Sequence, residues 1–90
     1  MNRRTLIDTL KAALAQAITE RPQRRDFVNG ELAWITYERE VMHQETNRQR
    51  AKRGRGPVSL ADIRRVESTS EGHIDYVSKF AIGCAELVTK

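Results

Sequence analysis

Apolar side chains recur at helical spacing along most of this chain, and the pattern predicts helices rather than strands. The first segment has a single apolar stripe, formed by Leu6, Ile7, Leu10, Ala13, Leu14, Ala17 and Ile18. It predicts a helix from about Arg3 to Glu20. Asn2 or Thr5 can cap its start, and Pro22 ends it because proline disfavours helical backbone in the preceding residue.

A second helix is predicted from about Gly30 to Arg53, and Asp26 or Asn29 in the preceding linker can supply its cap. Its predicted buried side is formed by Leu32, Trp34, Ile35, Tyr37, Val41 and Met42, and the apolar pattern fades after Met42. Residues 43–50 include no apolar side chain. We therefore expect the second half to extend past the core with its polar sides in water.

The helix ends at Gly54, Gly56 and Pro57, and a capping box of Ser59 and Asp62 begins the next one. A seam then advances in steps of three and four along Ile63, Val66, Ser70, His73, Val77, Phe80, Cys84 and Leu87. The seam favours one long helix that is kinked near Gly72. The alternative is a break within residues 68–72, where Ser68 and Glu71 can form another capping box.

These elements predict an all-α fold in a single domain over residues 1–90. The N-terminal helix packs on an antiparallel hairpin of two long helices, and the turn at 54–57 forms the distal tip. The last segment has further apolar residues off its seam, namely Ile74, Tyr76, Ala81, Ile82, Ala85 and Val88. A stripe this wide faces two neighbouring helices, and an interface in a homo-oligomer can cover the remainder.

The net charge of +4 is concentrated at that tip. The segment 48–55 contains Arg48, Arg50, Lys52, Arg53 and Arg55 without an acid, whereas the rest of the chain is close to neutral. Leu60, Ile63 and Val66 lie beside this segment, opposite polar residues of the second helix, and are expected to have little intramolecular cover. The two sets together are the predicted partner-binding surface. A solvated, flexible end is the alternative interpretation.

Several kinds of chemistry are not expected from these residues. No His or Cys pair has metal-ligand spacing, and no glycine-rich phosphate loop is present. Cys84, the only cysteine, lies on the predicted buried seam, and no base is positioned beside it. We therefore expect no catalytic residues, no metal and no cofactor. The lone thiol, with no signal peptide or membrane span evident, indicates the cytoplasm.

Residues 58–77 resemble the helix-turn-helix of lactose-repressor-type proteins, which implies a DNA-binding regulator as an alternative function. Arg64 replaces the small residue of that motif, and Ser68 replaces its turn glycine. Glu71 and Asp75 would lie on the reading helix, where phosphates repel them. The basic segment also allows non-specific nucleic-acid contact, and a third class is a small anionic ligand bound at an oligomer interface.

The stretches ELAWITYEREVMHQETNRQRAKRGRGPVSLADIRRVE and GHIDYVSKFAIGCAELV resemble small helical proteins of tailed bacteriophages, over about 55 of the 90 residues. The resemblance implies a non-enzymatic protein that is a virion component or binds a host protein. It also implies a location in the host cytoplasm or the virion. The sequence thus predicts a helical binding protein that engages a protein partner through its basic tip.

Overall fold

The computed structural model describes residues 2–21 and 30–90, which form four α-helices and no strand. They are α1 (Arg3–Thr19), α2 (Gly30–Lys52), α3 (Leu60–Ser70) and α4 (Tyr76–Thr89). The all-α fold class is therefore confirmed. The predicted helix end at Pro22 and the predicted caps Asp26 and Asn29 lie outside the described residues.

Helix α1 follows its sequence pattern closely. The Asn2 side chain accepts a hydrogen bond of 2.8 Å from the Thr5 backbone N–H, so Asn2 is the cap. The buried side chains of α1 are Leu6, Leu10, Leu14 and Ala17. They lie on the predicted stripe and pack against α2 and α4.

Helix α4 is the centre of the fold and packs against the other three helices. Its buried side chains are Phe80, Ala81, Cys84, Ala85 and Val88. They join the leucines of α1, Met42 of α2 and Ile63 of α3 in one core. Tyr76 packs its ring edge-to-face on Phe80, with centroids 5.7 Å apart, at the start of α4.

The prediction of one continuous last helix is wrong, because residues 71–75 separate α3 from α4. Gly72 has a φ of 80°, a left-handed conformation that favours glycine and turns the chain after α3. Asp75 then caps α4 by accepting a hydrogen bond of 3.1 Å from the Ser78 backbone N–H. The break was predicted as the alternative, and its cap is Asp75 rather than the Ser68–Glu71 pair.

The second half of α2 does not extend past the core, so that expectation is also wrong. Glu38, Met42, Thr46 and Gln49 are buried and recur every three or four residues, which places them on one face. α2 packs against all three other helices. In contrast, Leu32, which was predicted to be buried, is 58% exposed. α2 therefore buries a largely polar face.

Gly83 lets α3 and α4 approach closely, because a Cβ at this position would overlap the Val66 side chain. Valine is stiff at χ1, so its methyl group has little room to move. We expect Gly83→Ala to lower the free energy of unfolding by about 1–3 kcal/mol through overpacking. Urea denaturation followed by circular dichroism measures this change.

Gly56→Ala is the matched control for that measurement, because a Cβ there meets nothing within 4 Å. It should leave stability unchanged or raise it by up to about 1 kcal/mol. A stabilising Gly83→Ala, as helix propensity alone would give, would show that α3 and α4 are not packed this closely.

Candidate functional site

Arg50, which was predicted to bind a partner, instead holds the end of α4. Its guanidinium donates hydrogen bonds to the backbone carbonyls of Leu87 and Lys90, at the C-terminal end of that helix. It also donates to the Gly56 carbonyl at 2.6 Å. A cation at this position satisfies carbonyls that have no partner within the helix. Arg50 therefore has a structural role, and its predicted role in partner binding stays a prediction.

Arg48 is exposed, but an acid on the same helix compensates its charge. Its guanidinium lies 3.1 Å from the Glu45 carboxylate, three residues earlier on α2. The same carboxylate accepts a hydrogen bond of 2.8 Å from the Gln49 amide. Arg48 thus adds little net positive charge to the tip.

Three further basic residues of the tip are exposed, and we call Lys52, Arg53 and Arg55 the basic turn. Together with the buried Gln49, they line an open cleft of about 430 Å³. Gly54 has a φ of 71°, which ends α2 and directs the chain outward. Residues 51–57 are all exposed, and a Cβ on Gly54 or Gly56 would meet nothing within 4 Å, so this turn lies at the protein surface.

Side chains of α2 fix the segment that follows the basic turn. The Asn47 side chain accepts a hydrogen bond of 2.8 Å from the Val58 N–H and donates one of 3.3 Å to the Val58 carbonyl. His43 donates to the same carbonyl from Nε2 at 2.8 Å. The Ser59–Asp62 capping box then begins α3, as predicted. The basic turn is therefore held at both ends.

The predicted apolar part of the binding surface is mostly wrong. Ile63 is buried in the core, and Val66 is partly buried and packs against it. Only Leu60, which is 43% exposed, remains available beside the basic turn. The error has a physical cause, because the buried polar face of α2 and the neighbouring α4 cover the apolar face of α3.

Two buried carboxylates, which the sequence analysis did not single out, lie between α2 and its neighbours. Glu38 accepts hydrogen bonds from the Arg21 Nε at 2.6 Å and from the Tyr76 hydroxyl at 3.2 Å. Glu67 pairs with Arg39 at 2.6 Å, while its Oε2 has no hydrogen-bond partner among the described residues. Burial raises the pKa of the Glu67 carboxyl, and the Arg39 guanidinium opposes that rise.

The first part of α2, which includes Trp34 and Glu38, forms one wall of a second cleft, which we call the aromatic cleft. It has a volume of about 510 Å³ and is lined by Arg21, Glu31, Trp34, Ile35, Glu38, Glu71, Gly72 and Tyr76. The Arg21 guanidinium lies 5.0 Å from the centroid of the Trp34 ring, within cation–π distance. The cleft thus combines aromatic surfaces with carboxylates.

His43, His73 and Cys84 are the candidates for metal or nucleophilic chemistry, and they do not form a metal-binding group among the described residues. His73 is exposed rather than on a buried seam, and His43 bonds the backbone. Burial raises the pKa of the Cys84 thiol to about 12, which keeps it protonated, and the nearby Thr46 hydroxyl opposes the rise. Within residues 2–21 and 30–90, no three His, Cys, Asp or Glu side chains are grouped to hold a metal ion.

The helix-turn-helix interpretation requires an exposed second helix. Here α4 packs against α1, α2 and α3, which leaves little of it to enter a DNA groove. Glu71 and Asp75 precede α4 instead of lying on it. The packing thus gives this alternative little support.

None of the described helices combines the length and apolar character that crossing a membrane requires. The resemblance to bacteriophage proteins stays an expectation, because nothing in comparisons with known proteins links the chain to them. No family model, no curated protein and no solved structure matches this chain.

Proposed function

We propose that this chain is a non-enzymatic binding protein whose basic turn attaches to an acidic face of a macromolecular partner. The observation that carries the proposal is the position of Lys52, Arg53 and Arg55 around one open cleft, at the exposed end of α2 and in the exposed turn that follows it. Exposed cations in such a cluster steer association and select partners of opposite charge. Leu60 offers an apolar contact beside them.

The partner is a protein rather than a nucleic acid in this proposal. Duplex DNA presents phosphates along its whole length and is bound by an extended positive face. Here the basic residues are concentrated in the segment 48–55, and the cations Arg48 and Arg65 are paired with acids of their own helices. No aromatic side chain interleaves the basic turn to stack on bases. A host protein or a virion component is the class that the bacteriophage resemblance implies.

The absence of enzymatic activity is part of the proposal, and the state of the reactive groups supports it. The Cys84 thiol is buried, and burial raises its pKa, which disfavours the thiolate that a nucleophile requires. The carboxylates of Glu38 and Glu67 are each ion-paired with an arginine. These groups stabilise the fold and are not presented to a substrate.

A charge-reversal variant tests the proposal with a fluorescent polyglutamate peptide as the acidic probe. Lys52→Glu, Arg53→Glu and Arg55→Glu together should weaken binding, measured by fluorescence anisotropy, by about tenfold or more. The wild-type affinity should fall as salt rises from about 0.01 to about 1 M, since the Debye length shrinks from about 30 to about 3 Å. A DNA duplex is the parallel probe.

The matched control reverses three exposed cations elsewhere, Arg4, Arg64 and Lys79, and therefore has the same net charge. It should bind polyglutamate nearly as well as the wild type. Equal losses in both variants would mean that net charge alone drives binding, and the proposal would fail. Strong binding to the duplex but not to polyglutamate would favour the DNA-binding alternative.

A further inference from the structure

We infer that the aromatic cleft receives the basic turn of a second copy of this chain, so that copies join head to tail. The inference rests on the proposed function for the basic turn and gives that turn a specific acidic partner. It also assigns a binding role to the aromatic cleft, which the proposed function leaves unused.

The aromatic cleft has the charge and surfaces that bind a cationic side chain. Glu38 is already paired with Arg21, whereas Glu31 and Glu71 are exposed, and no ion pair to either is present among residues 2–21 and 30–90. Trp34 and Tyr76 add aromatic surface to the lining of the same cleft. Carboxylates beside aromatic rings are the combination that holds guanidinium or ammonium groups.

The chain itself shows that this cleft accepts a guanidinium. Arg21 places its planar group near the Trp34 ring while donating to the Glu38 carboxylate at 2.6 Å. Arginine suits such a site because its planar fork bonds a carboxylate while its face stacks on a ring. A second arginine entering beside Arg21 would meet the Glu31 and Glu71 carboxylates.

The basic turn has the shape to enter a cleft. Arg55 lies between Gly54 and Gly56, where added Cβ atoms would meet nothing within 4 Å. An arginine flanked by two glycines on a projecting turn can approach another surface without steric obstruction from its neighbours. The cleft volume of about 510 Å³ is within the range of about 300–1,000 Å³ common for binding pockets.

One copy cannot fill its own cleft, because the two surfaces lie at opposite ends of α2. At about 1.5 Å per residue, Trp34 and Lys52 are about 27 Å apart along the helix axis. The longest dimension of the protein is 39 Å. Contact between two different patches is heterologous and therefore builds a ring or an open filament rather than a two-fold dimer.

Analytical ultracentrifugation of two complementary variants tests the inference. In the first variant, Glu31→Lys and Glu71→Lys reverse the charge of the cleft; in the second, Arg53→Ala and Arg55→Ala remove two cations of the turn. The wild type should form species larger than dimers at low salt and high concentration. Each variant alone should self-associate about tenfold or more weakly. Their equimolar mixture should form a heterodimer and nothing larger, since only one intact pair of surfaces remains.

A wild type that stays monomeric at every concentration, or a mixture that stays monomeric, would overturn the inference. Polyglutamate binding separates this failure from failure of the proposed function. The cleft variant keeps an intact basic turn and should bind polyglutamate as the wild type does. If the cleft variant binds polyglutamate while the wild type does not self-associate, the proposed function stands and only the head-to-tail contact is wrong. Circular dichroism and the milder variant Glu31→Gln with Glu71→Gln exclude misfolding as the cause.

Discussion

Ile63→Ala is expected to lower the free energy of unfolding by about 2–5 kcal/mol, whereas Ile74→Ala should change it by less than about 0.5 kcal/mol. Both variants remove the same atoms from the same residue type. Ile63 is fully buried between α2 and α4, and its removal leaves a cavity in the core. Ile74 lies in the turn before α4 and is fully exposed.

Urea denaturation of the two variants, followed by circular dichroism at 222 nm, gives the comparison directly. The slope of the free energy against urea should be the same in both, so that the midpoints report stability. A loss of less than about 1 kcal/mol for Ile63→Ala would contradict the buried position. It would also restore Ile63 as a candidate contact residue of the predicted tip surface.

Arg39→Ala is expected to lower the free energy of unfolding by about 3–5 kcal/mol, because it leaves the Glu67 carboxylate buried and unpaired. Glu67 is 1% exposed and already has one oxygen without a partner among the described residues. Replacing both residues with leucine should recover most of the loss, since neither charge is then buried. The wild type, the single variants Arg39→Leu and Glu67→Leu and the double leucine variant form a double-mutant cycle for the pair.

The pH dependence of this pair has a defined sign. Burial raises the folded-state pKa of Glu67 above its ordinary value of 4.5. At a pH between this ordinary value and the raised folded-state pKa, the Glu67 carboxyl is protonated in the folded state and ionised in the unfolded state. The contribution of this carboxyl to the free energy of unfolding therefore falls as the pH rises through that range. Glu67→Gln cannot titrate. The stability of the wild type relative to Glu67→Gln should therefore be lower at about pH 7 than at about pH 4.

An NMR titration of the Glu67 side-chain carboxyl provides the independent check, with a midpoint above 4.5 expected. An unshifted midpoint, together with a loss of less than about 1 kcal/mol in Arg39→Ala, would contradict the buried ion pair. It would indicate that the α2–α3 contact is open to water.

The sequence pattern predicted the elements whose signals are local. The stripe of α1, the Asn2 cap and the Ser59–Asp62 capping box each depend on residues within a few positions of one another. The break between α3 and α4 was harder to predict, because its apolar seam continues through the turn. There the Gly72 backbone and the Asp75 cap outweigh the seam.

Most of the buried face of α2 was not predictable from hydrophobic spacing, because all of its side chains except Met42 are polar. Glu38 is satisfied by Arg21, and Glu67 pairs with Arg39 from 28 positions away. A polar residue that is buried only because a distant residue pairs with it has no apolar signal of its own. The same limit explains why Ile63 was assigned to the surface, since the residues that cover it include polar ones.

The candidate site was predicted in part for the same reason. Lys52, Arg53 and Arg55 are exposed, as their glycine-rich surroundings indicated. Arg50 lies among them in sequence, yet it contacts the carbonyl of Leu87, 37 positions away. The aromatic cleft combines the start of α2 with the turn before α4, and no local motif marks that combination.

The hydrogen bonds of Arg50 couple the position of the basic turn to that of the C-terminal end of α4. A single guanidinium joins the carbonyl of Gly56 to those of Leu87 and Lys90. A tag, cleavage or substitution at the C-terminal end of α4 would therefore alter the orientation of the turn without changing any of its cations. Conversely, a partner that displaces the turn on binding would also displace the C-terminal end of α4 through the same hydrogen bonds.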